Sequence, residues 1–422
     1  MQALELEPLE LVIPGSYYDS QIYNGRLYLW KADSSIITID WNKLIEIIRV
    51  SEELKVAFAL GFQYGDNLYN NLLLKDAEIK SMIVEKFKLL SKKTIEVSQK
   101  TLDNCTVSEE NNPLPFPHAD SSIHYKTIYI GSKSGVSSSP CNIGSSDAKA
   151  IKLWDSPVLS LSASHLTLAM AAGSEGLFDY SLKQNYYEKH SEPCRISEKH
   201  SNFARWLYPS IFSSSYFNEG CLADFKVKNK IKSNQQLNQS QEESRVKKSA
   251  ITARNISLIE KNEGRIQKRE FQKNFSSSEI FANRINNEPL KFTWGSYDKI
   301  CLLTENHIEL VRYYPRAKNE TKKFVNLGSV KIQNSIGDII SADSSFFGIV
   351  LEAEESLLVV NSRLEHKHFG GEPVNWRVFP RSRNYTNQLH IIYDDSLHIY
   401  SFTHDYFVNQ QSKKIGMAFT TK

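Results

Sequence analysis

The residues whose types could do chemistry are scattered through the chain. His190, Cys194 and His200 lie close together in EKHSEPCRISEKH. Zinc accepts imidazole nitrogen and thiolate sulfur, but structural zinc sites use four ligands at tighter spacing, so this stretch reads as a polar surface loop. His366 and His368 form a His-x-His in RLEHKHFGG. On a strand both would share one face; ahead of Gly370-Gly371 they read instead as solvated loop histidines. Gly173-Ser174-Glu175-Gly176 is not Gly-x-Ser-x-Gly and reads as a tight turn. Asp394-Asp395 pairs two carboxylates, which a two-residue hairpin turn explains without chemistry. Neither GxxxxGK(S/T) nor GxGxxG occurs, so ATP and dinucleotides have no motif support. The reading is a non-enzyme with no cofactor and no metal.

The basic features point to binding. In the run Trp376 to Tyr385, Arg377, Arg381 and Arg383 sit among Trp376, Phe379 and Tyr385. Arginine and aromatic side chains make protein-binding hot spots, and they also stack on bases and hold phosphates. Residues 226–290 carry 14 Lys plus Arg against 7 Asp plus Glu, a net +7 that leaves −4 for the rest of the chain. Lys247, Lys248, Lys268 and Arg269 are its candidate contacts, together with Arg377, Arg381, Arg383 and Tyr385. Such an arm suits nucleic acid, a membrane surface or an acidic protein partner.

Length and charge bound these readings. The chain has 422 residues with 51 Lys plus Arg and 48 Asp plus Glu, so a net charge of +3 excludes a chain-wide polyanion surface. At 41% hydrophobic residues a sizeable core is affordable in composition. Twenty Tyr and 21 Phe against 4 Met lean toward strands. Residues 1–10 are acidic with no basic segment ahead of an apolar one, unlike a secretory signal. No window has about 18 uninterrupted apolar residues, so no membrane span is expected. Five cysteines without a CxxC pair read as free thiols in a reducing cytoplasm.

The elements that must position these residues are mostly strands. Gly25 to Trp41 alternates as a hairpin. Asp19-Ser-Gln-Ile22 and Leu27-Tyr-Leu29 align without gaps to Asp120-Ser-Ser-Ile123 and Ile128-Tyr-Ile130, which suggests an internal repeat. Ser156 to Tyr180 and Ile336 to Val360 share one order: strand, polar turn at 162–165 or 343–345, strand, small turn, strand. Phe292 to Tyr314 and Val374 to Phe402 give further units, and Ala204 to Phe225 a weaker one.

This pattern resembles a degenerate WD40-like β-propeller. Its Trp154-Asp155 is read as preceding a strand rather than ending one, and no family function is carried over from it. The expected fold is all-β: one propeller domain over residues 1–422, with about seven blades at roughly 40–45 residues each. Residues 50–99 are a helix-bearing insertion, since Ile79, Ile83, Phe87 and Leu90 form one apolar stripe. Residues 226–290 are a long basic loop, partly disordered. Leu4 to Ile13 is expected to pair in the blade holding Gln388 to Phe402. The function expected is a non-catalytic scaffold for protein–protein interactions in a cytoplasmic complex. The alternatives are a nucleic-acid-associated subunit and an enzyme with a site in the central channel, for which His165 and His390 are the first residues to inspect.

Overall fold

The structure is a computed structural model that describes residues 2–65, 67–70, 72–142, 149–164, 167–182, 192–207, 209–215, 219–228, 268–296, 299–317, 319–332, 337–361 and 363–403. Seven sheets follow one another along the chain, each built on four antiparallel strands, and they form a seven-bladed β-propeller. Blade 1 is Tyr17–Tyr23, Arg26–Lys31, Ser35–Asp40 and Thr106–Asn111. Blade 2 is Asp120–His124, Thr127–Ser132, Gly135–Pro140 and Ile151–Trp154. Blade 3 is Ser160–Ser164, Thr167–Ala171, Leu177–Ser181 and Cys194–Ser197. Blade 4 is Phe203–Leu207, Ser210–Ser214, Gly220–Lys228 and Lys268–Ser276. Blade 5 is Leu290–Ser296, Lys299–Thr304, His307–Tyr313 and Phe324–Lys331. Blade 6 is Ile339–Ser345, Gly348–Ala353, Ser356–Val360 and Glu365–Gly370. Blade 7 is Asn375–Val378, Gln388–Ile392, Ser396–Ser401 and, from the N-terminal end, Leu9–Pro14.

The period-two alternation of a strand explains why the blades stack. In blade 1, Leu27 and Leu29 face the cluster shared with blade 7, while Tyr28 and Trp30 face the one shared with blade 2. In blade 3, Leu168 and Met170 face blade 2, while Ala169 and Ala171 face blade 4. A blade buried on both faces therefore needs apolar residues at odd and even positions alike, and its strands read as unbroken apolar runs. Each pair of neighbouring blades shares one apolar wedge around the ring. Two glycines are demanded where third strands begin. A Cβ on Gly135 (φ +109°) would lie 2.1 Å from the Trp154 carbonyl oxygen, and one on Gly176 (φ +101°) 2.0 Å from that of Ser197.

The ring closes where an early strand meets a late one. Leu9–Pro14 pairs antiparallel with Ser396–Ser401, as the sequence suggested, and its Leu9, Leu11 and Ile13 enter the wedge between blades 7 and 1. Thr94–Glu96 then adds in parallel outside it, which covers the remaining edge.

The segment between the third and fourth strands of blade 1 carries helices at Trp41–Ile47, Lys55–Phe62, Ala77–Leu90 and Gln99–Cys105. Asp76 caps the third of these, accepting from the Glu78 and Ile79 amides at 2.9 and 3.1 Å. Ile83, Phe87 and Leu90 bury its apolar stripe in the wedge between blades 7 and 1. Among the described residues no helix is long and apolar enough to cross a membrane.

Three local readings are corrected. The polar stretches at 162–164 and 343–345 are the ends of inner strands, not turns; the turn in blade 6 falls at Phe346-Phe347. Trp154 ends the outer strand of blade 2 rather than preceding a strand. His366 and His368 lie on the outer strand of blade 6, not in a loop, with ring centroids 5.3 Å apart. The physical reason for the first is burial without apolarity. Inner strands crowd round a narrow axis, where small polar side chains fit and hydrogen-bond to one another.

Candidate functional site

Four inner strands share a local motif with a structural reason. In Asp19-Ser20, Asp120-Ser121 and Asp343-Ser344 the carboxylate accepts the amide of the next residue, at 2.7, 2.9 and 2.7 Å. Asn375 does the same to the Trp376 amide at 2.8 Å. This local bond turns the acidic group toward the axis and occupies one oxygen edge. The rest of each carboxylate is left for partners across the channel.

Those partners are two arginines. Arg377 of blade 7 donates from Nη2 to Asp19 Oδ2 of blade 1 at 2.8 Å and from Nε to Asp19 Oδ1; its Nη1 donates to Asp120 Oδ1 of blade 2 at 3.1 Å. Arg205 of blade 4 reaches Asp120 Oδ2 at 3.5 Å and Asp343 Oδ2 of blade 6 at 3.4 Å. The order is an alternating chain, Asp19–Arg377–Asp120–Arg205–Asp343, and three of its four links join blades that are not neighbours. At its inner end Asp19 is fully buried and holds His118 Nε2 at 2.8 Å and the Ser121 hydroxyl at 2.6 Å. Burial works to raise the Asp19 carboxyl, but Arg377 and His118 outweigh it and hold it well below the usual carboxylate range. At the other end, Asp343 has, among the described residues, only Arg205 and its own Ser344 amide in hydrogen-bonding range. Its carboxyl is pushed up, first by burial and further by Asp120, against the pull of Arg205.

Above this floor the channel opens as a funnel of about 960 Å³. It opens on the face where the inner strands begin: Ala119, Leu159, Asn202, Leu290, Ile339 and Val374 lie on its wall. Its rim is apolar. Leu159, Ile340 and Val374 are 40, 60 and 46% exposed, large values for such side chains. Phe203, Phe292 and Trp376 stand half-buried below them. Arg205 lies over the Phe203 ring at 4.4 Å, and the Trp376 indole donates to Glu352 at 2.9 Å.

The opposite end of the channel is bridged. The loop after Val378 crosses from blade 7, and Arg381 donates to the carbonyls of Ala163 (3.2 Å) in blade 3 and Trp206 in blade 4, the ends of their inner strands. The helical segment supports this loop: Gln388 Nε2 donates to Phe62 O at 2.8 Å, Asn387 to Gly61 O at 2.7 Å, and the Gly65 amide to Asn384 O at 3.1 Å.

The residues singled out from the sequence thus have distinct places. Arg377 is in the floor of the funnel, turned inward. Arg381 spans the far end, and Arg383 is exposed on the same loop. Tyr385 is buried at 3% exposure, its hydroxyl accepting the Gly25 amide at 3.1 Å. Lys268 and Arg269 begin the outer strand of blade 4, paired with Lys228 and Val227. Lys247, Lys248, His165 and His190 lie outside the described residues. His390 is not at the funnel. It is fully buried, packed on Phe379, 3.1 Å from Ser20 Oγ and 3.3 Å from Gln388 Oε1, and burial takes its imidazole down to about 3. Cys194 is exposed, and among the described residues no three His, Cys, Asp or Glu side chains are grouped to hold a metal ion.

The fold and site define a seven-bladed β-propeller, with a channel open at one face and bridged at the other. No protein-family model matches the chain, and no curated protein matches it. Among solved structures it is similar to Raptor of Chaetomium thermophilum, at 8% identity and a TM-score of 0.46, over 95% of this chain. The match spans 28% of the length of that protein.

Proposed function

We propose that the chain is a non-catalytic scaffold whose funnel face binds a protein partner. The observation that carries this reading is three exposed apolar side chains at the rim, Leu159, Ile340 and Val374, above a floor of charges engaged with one another. Exposed apolar groups at the rim of a rigid cavity gain most from being covered. Side chains already fixed by cross-channel ion pairs lose little entropy when a partner arrives. The loops of a closed ring present such a surface without rearrangement. The five free cysteines suit work in a reducing compartment such as the cytoplasm.

A photo-crosslinking amino acid tests the reading. Placed at Ile340 or Leu159 in cells, it should give a discrete protein adduct. At Val325, 39% exposed on the outer strand of blade 5, it should give none of the same size. Equal adducts at all three positions, or none at the rim, would remove the funnel as the binding face.

A further inference from the structure

We infer that the funnel takes an extended segment of the partner through a lysine or arginine side chain that descends onto Asp343. The inference rests on the funnel being a protein-binding site and adds the chemistry it selects. The cross-channel chain alternates in sign, and both of its ends are carboxylates. One end is closed, because Asp19 is buried against His118 and the Ser121 hydroxyl. The other end, Asp343, faces the funnel with, among the described residues, a single cationic neighbour at 3.4 Å, longer than a charge-assisted bond of normal strength. The next group that would extend the alternation is a cation.

The rest of the wall agrees. The charged side chains lining the funnel are Asp120, Asp338, Asp343 and Glu352 against Arg205, Lys291 and Arg377. Arg377 is committed to Asp19 and Asp120. Arg205 spends Nη1 on the Ser160 hydroxyl at 3.1 Å and on the Ala204 carbonyl at 3.2 Å, and Nε on Asp343. Lys291 stands 3.7 Å from Glu305. An incoming phosphate or carboxylate would be set against Asp120, Asp343 and Glu352 on the same wall. An incoming ammonium or guanidinium meets carboxylate oxygens with lone pairs to spare. A long basic side chain suits such a wall, since its methylene stem can lie on apolar surface while the charged head reaches a polar floor. Burial has raised the Asp343 carboxyl, and a second cation beside it would reverse that shift.

The experiment probes the full chain with arrays of short peptides of random flanks, in which the central residue is Arg, Lys, Gln, Glu or phosphoserine. The expected result is retention on the Arg and Lys arrays. For the Asp343→Asn chain it should weaken by about tenfold, as when one partner of a buried charge pair is lost. The wild-type preference stands as a test even if the variant melts early. If peptides bind with no preference for a basic centre, or bind Asp343→Asn as tightly, this inference is overturned while the protein-binding reading stands. If they prefer glutamate or phosphoserine, the funnel selects anions and the inference is again overturned. If the wild-type chain retains none of them, both readings fall.

Discussion

Arg377 meets Asp19 with two guanidinium nitrogens, one of them 2.8 Å from Oδ2, and the carboxylate it neutralises has no exposed surface. The pair joins the last blade to the first from the channel side. Arg377→Met keeps most of the side-chain volume and strips the charge. The expected loss is about 3–5 kcal/mol, the cost of leaving a buried ion without its partner. Denaturant unfolding reads it. Adding Asp19→Asn should recover part of that loss; a double variant as unstable as the sum of the two single ones would mean that the residues are not coupled.

The other seam of the ring is outside, at Glu10. Its carboxylate accepts from Tyr400 at 2.7 Å and Thr94 at 2.7 Å and lies 2.9 Å from His398 Nδ1. The bond to His398, chiefly, takes its carboxyl from 4.5 down to about 2. A group whose folded value is depressed stabilises the fold above its unfolded value. That stabilisation is complete above about pH 4.5 and is lost as the pH falls toward 2. Partial exposure screens the effect to roughly 1 kcal/mol. Melting curves across this window should show Glu10→Gln losing less on acidification than the wild type; parallel curves would contradict the assignment.

Gly135 and Gly328 both have positive φ, +109° and +132°, but a Cβ at Gly135 would collide with the Trp154 carbonyl while one at Gly328 meets nothing within 4 Å. Gly328→Ala should therefore cost only backbone strain, roughly 1–3 kcal/mol. Gly135→Ala should cost more, because the outer strand of blade 2 has to move. Thermal melting of the two variants ranks them, and the reverse order would be wrong for this geometry.

At the bridged end, Arg381 ties the loop of blade 7 to two strand ends in blades 3 and 4. Arg381→Ala should release the loop, and the Ser382 and Tyr385 amides should exchange faster with solvent. In the folded loop these amides are bonded to Phe379 O and Ser382 Oγ. Unchanged exchange at both amides would show that the buried Phe379 and Tyr385 and the bonds to Gly61 and Gly65 hold the loop without Arg381.

The ring itself was legible because a blade needs apolar residues on both faces. Leu27 to Trp30 and Leu357 to Val360 advertise that need in any single sequence. The helix at Ala77–Leu90 was legible for the complementary reason, a stripe of period 3.6 with an aspartate at its start. The site was half-visible. Asp19-Ser20 and Asp120-Ser121 stood out as a repeat, but as a landmark of the strand and not as a pair of axial carboxylates. Asp343-Ser344 carries the same two letters but reads in the sequence as a turn, because polar residues ordinarily mark the surface. Arg205 gave no signal at all. Its partners lie 85 and 138 residues away, and nothing local distinguishes an arginine that faces an axis from one that faces water. Arg377 drew attention for its aromatic neighbours, whereas its place is set by Asp19, 358 residues earlier.

The closing strand has a consequence for how the protein is made. Glu10 and Tyr400 are 390 residues apart. A ribosome adding roughly 5–20 residues per second therefore releases Leu9–Pro14 about 20–80 seconds before the strand it pairs with exists. Throughout that interval Leu9, Leu11 and Ile13 have no third strand of blade 7 to lie against, and the nascent chain carries an apolar β-strand in search of an edge. Glu5, Glu7 and Glu10 lie before and between those residues, the placement of charges that discourages an apolar strand from pairing with the wrong edge.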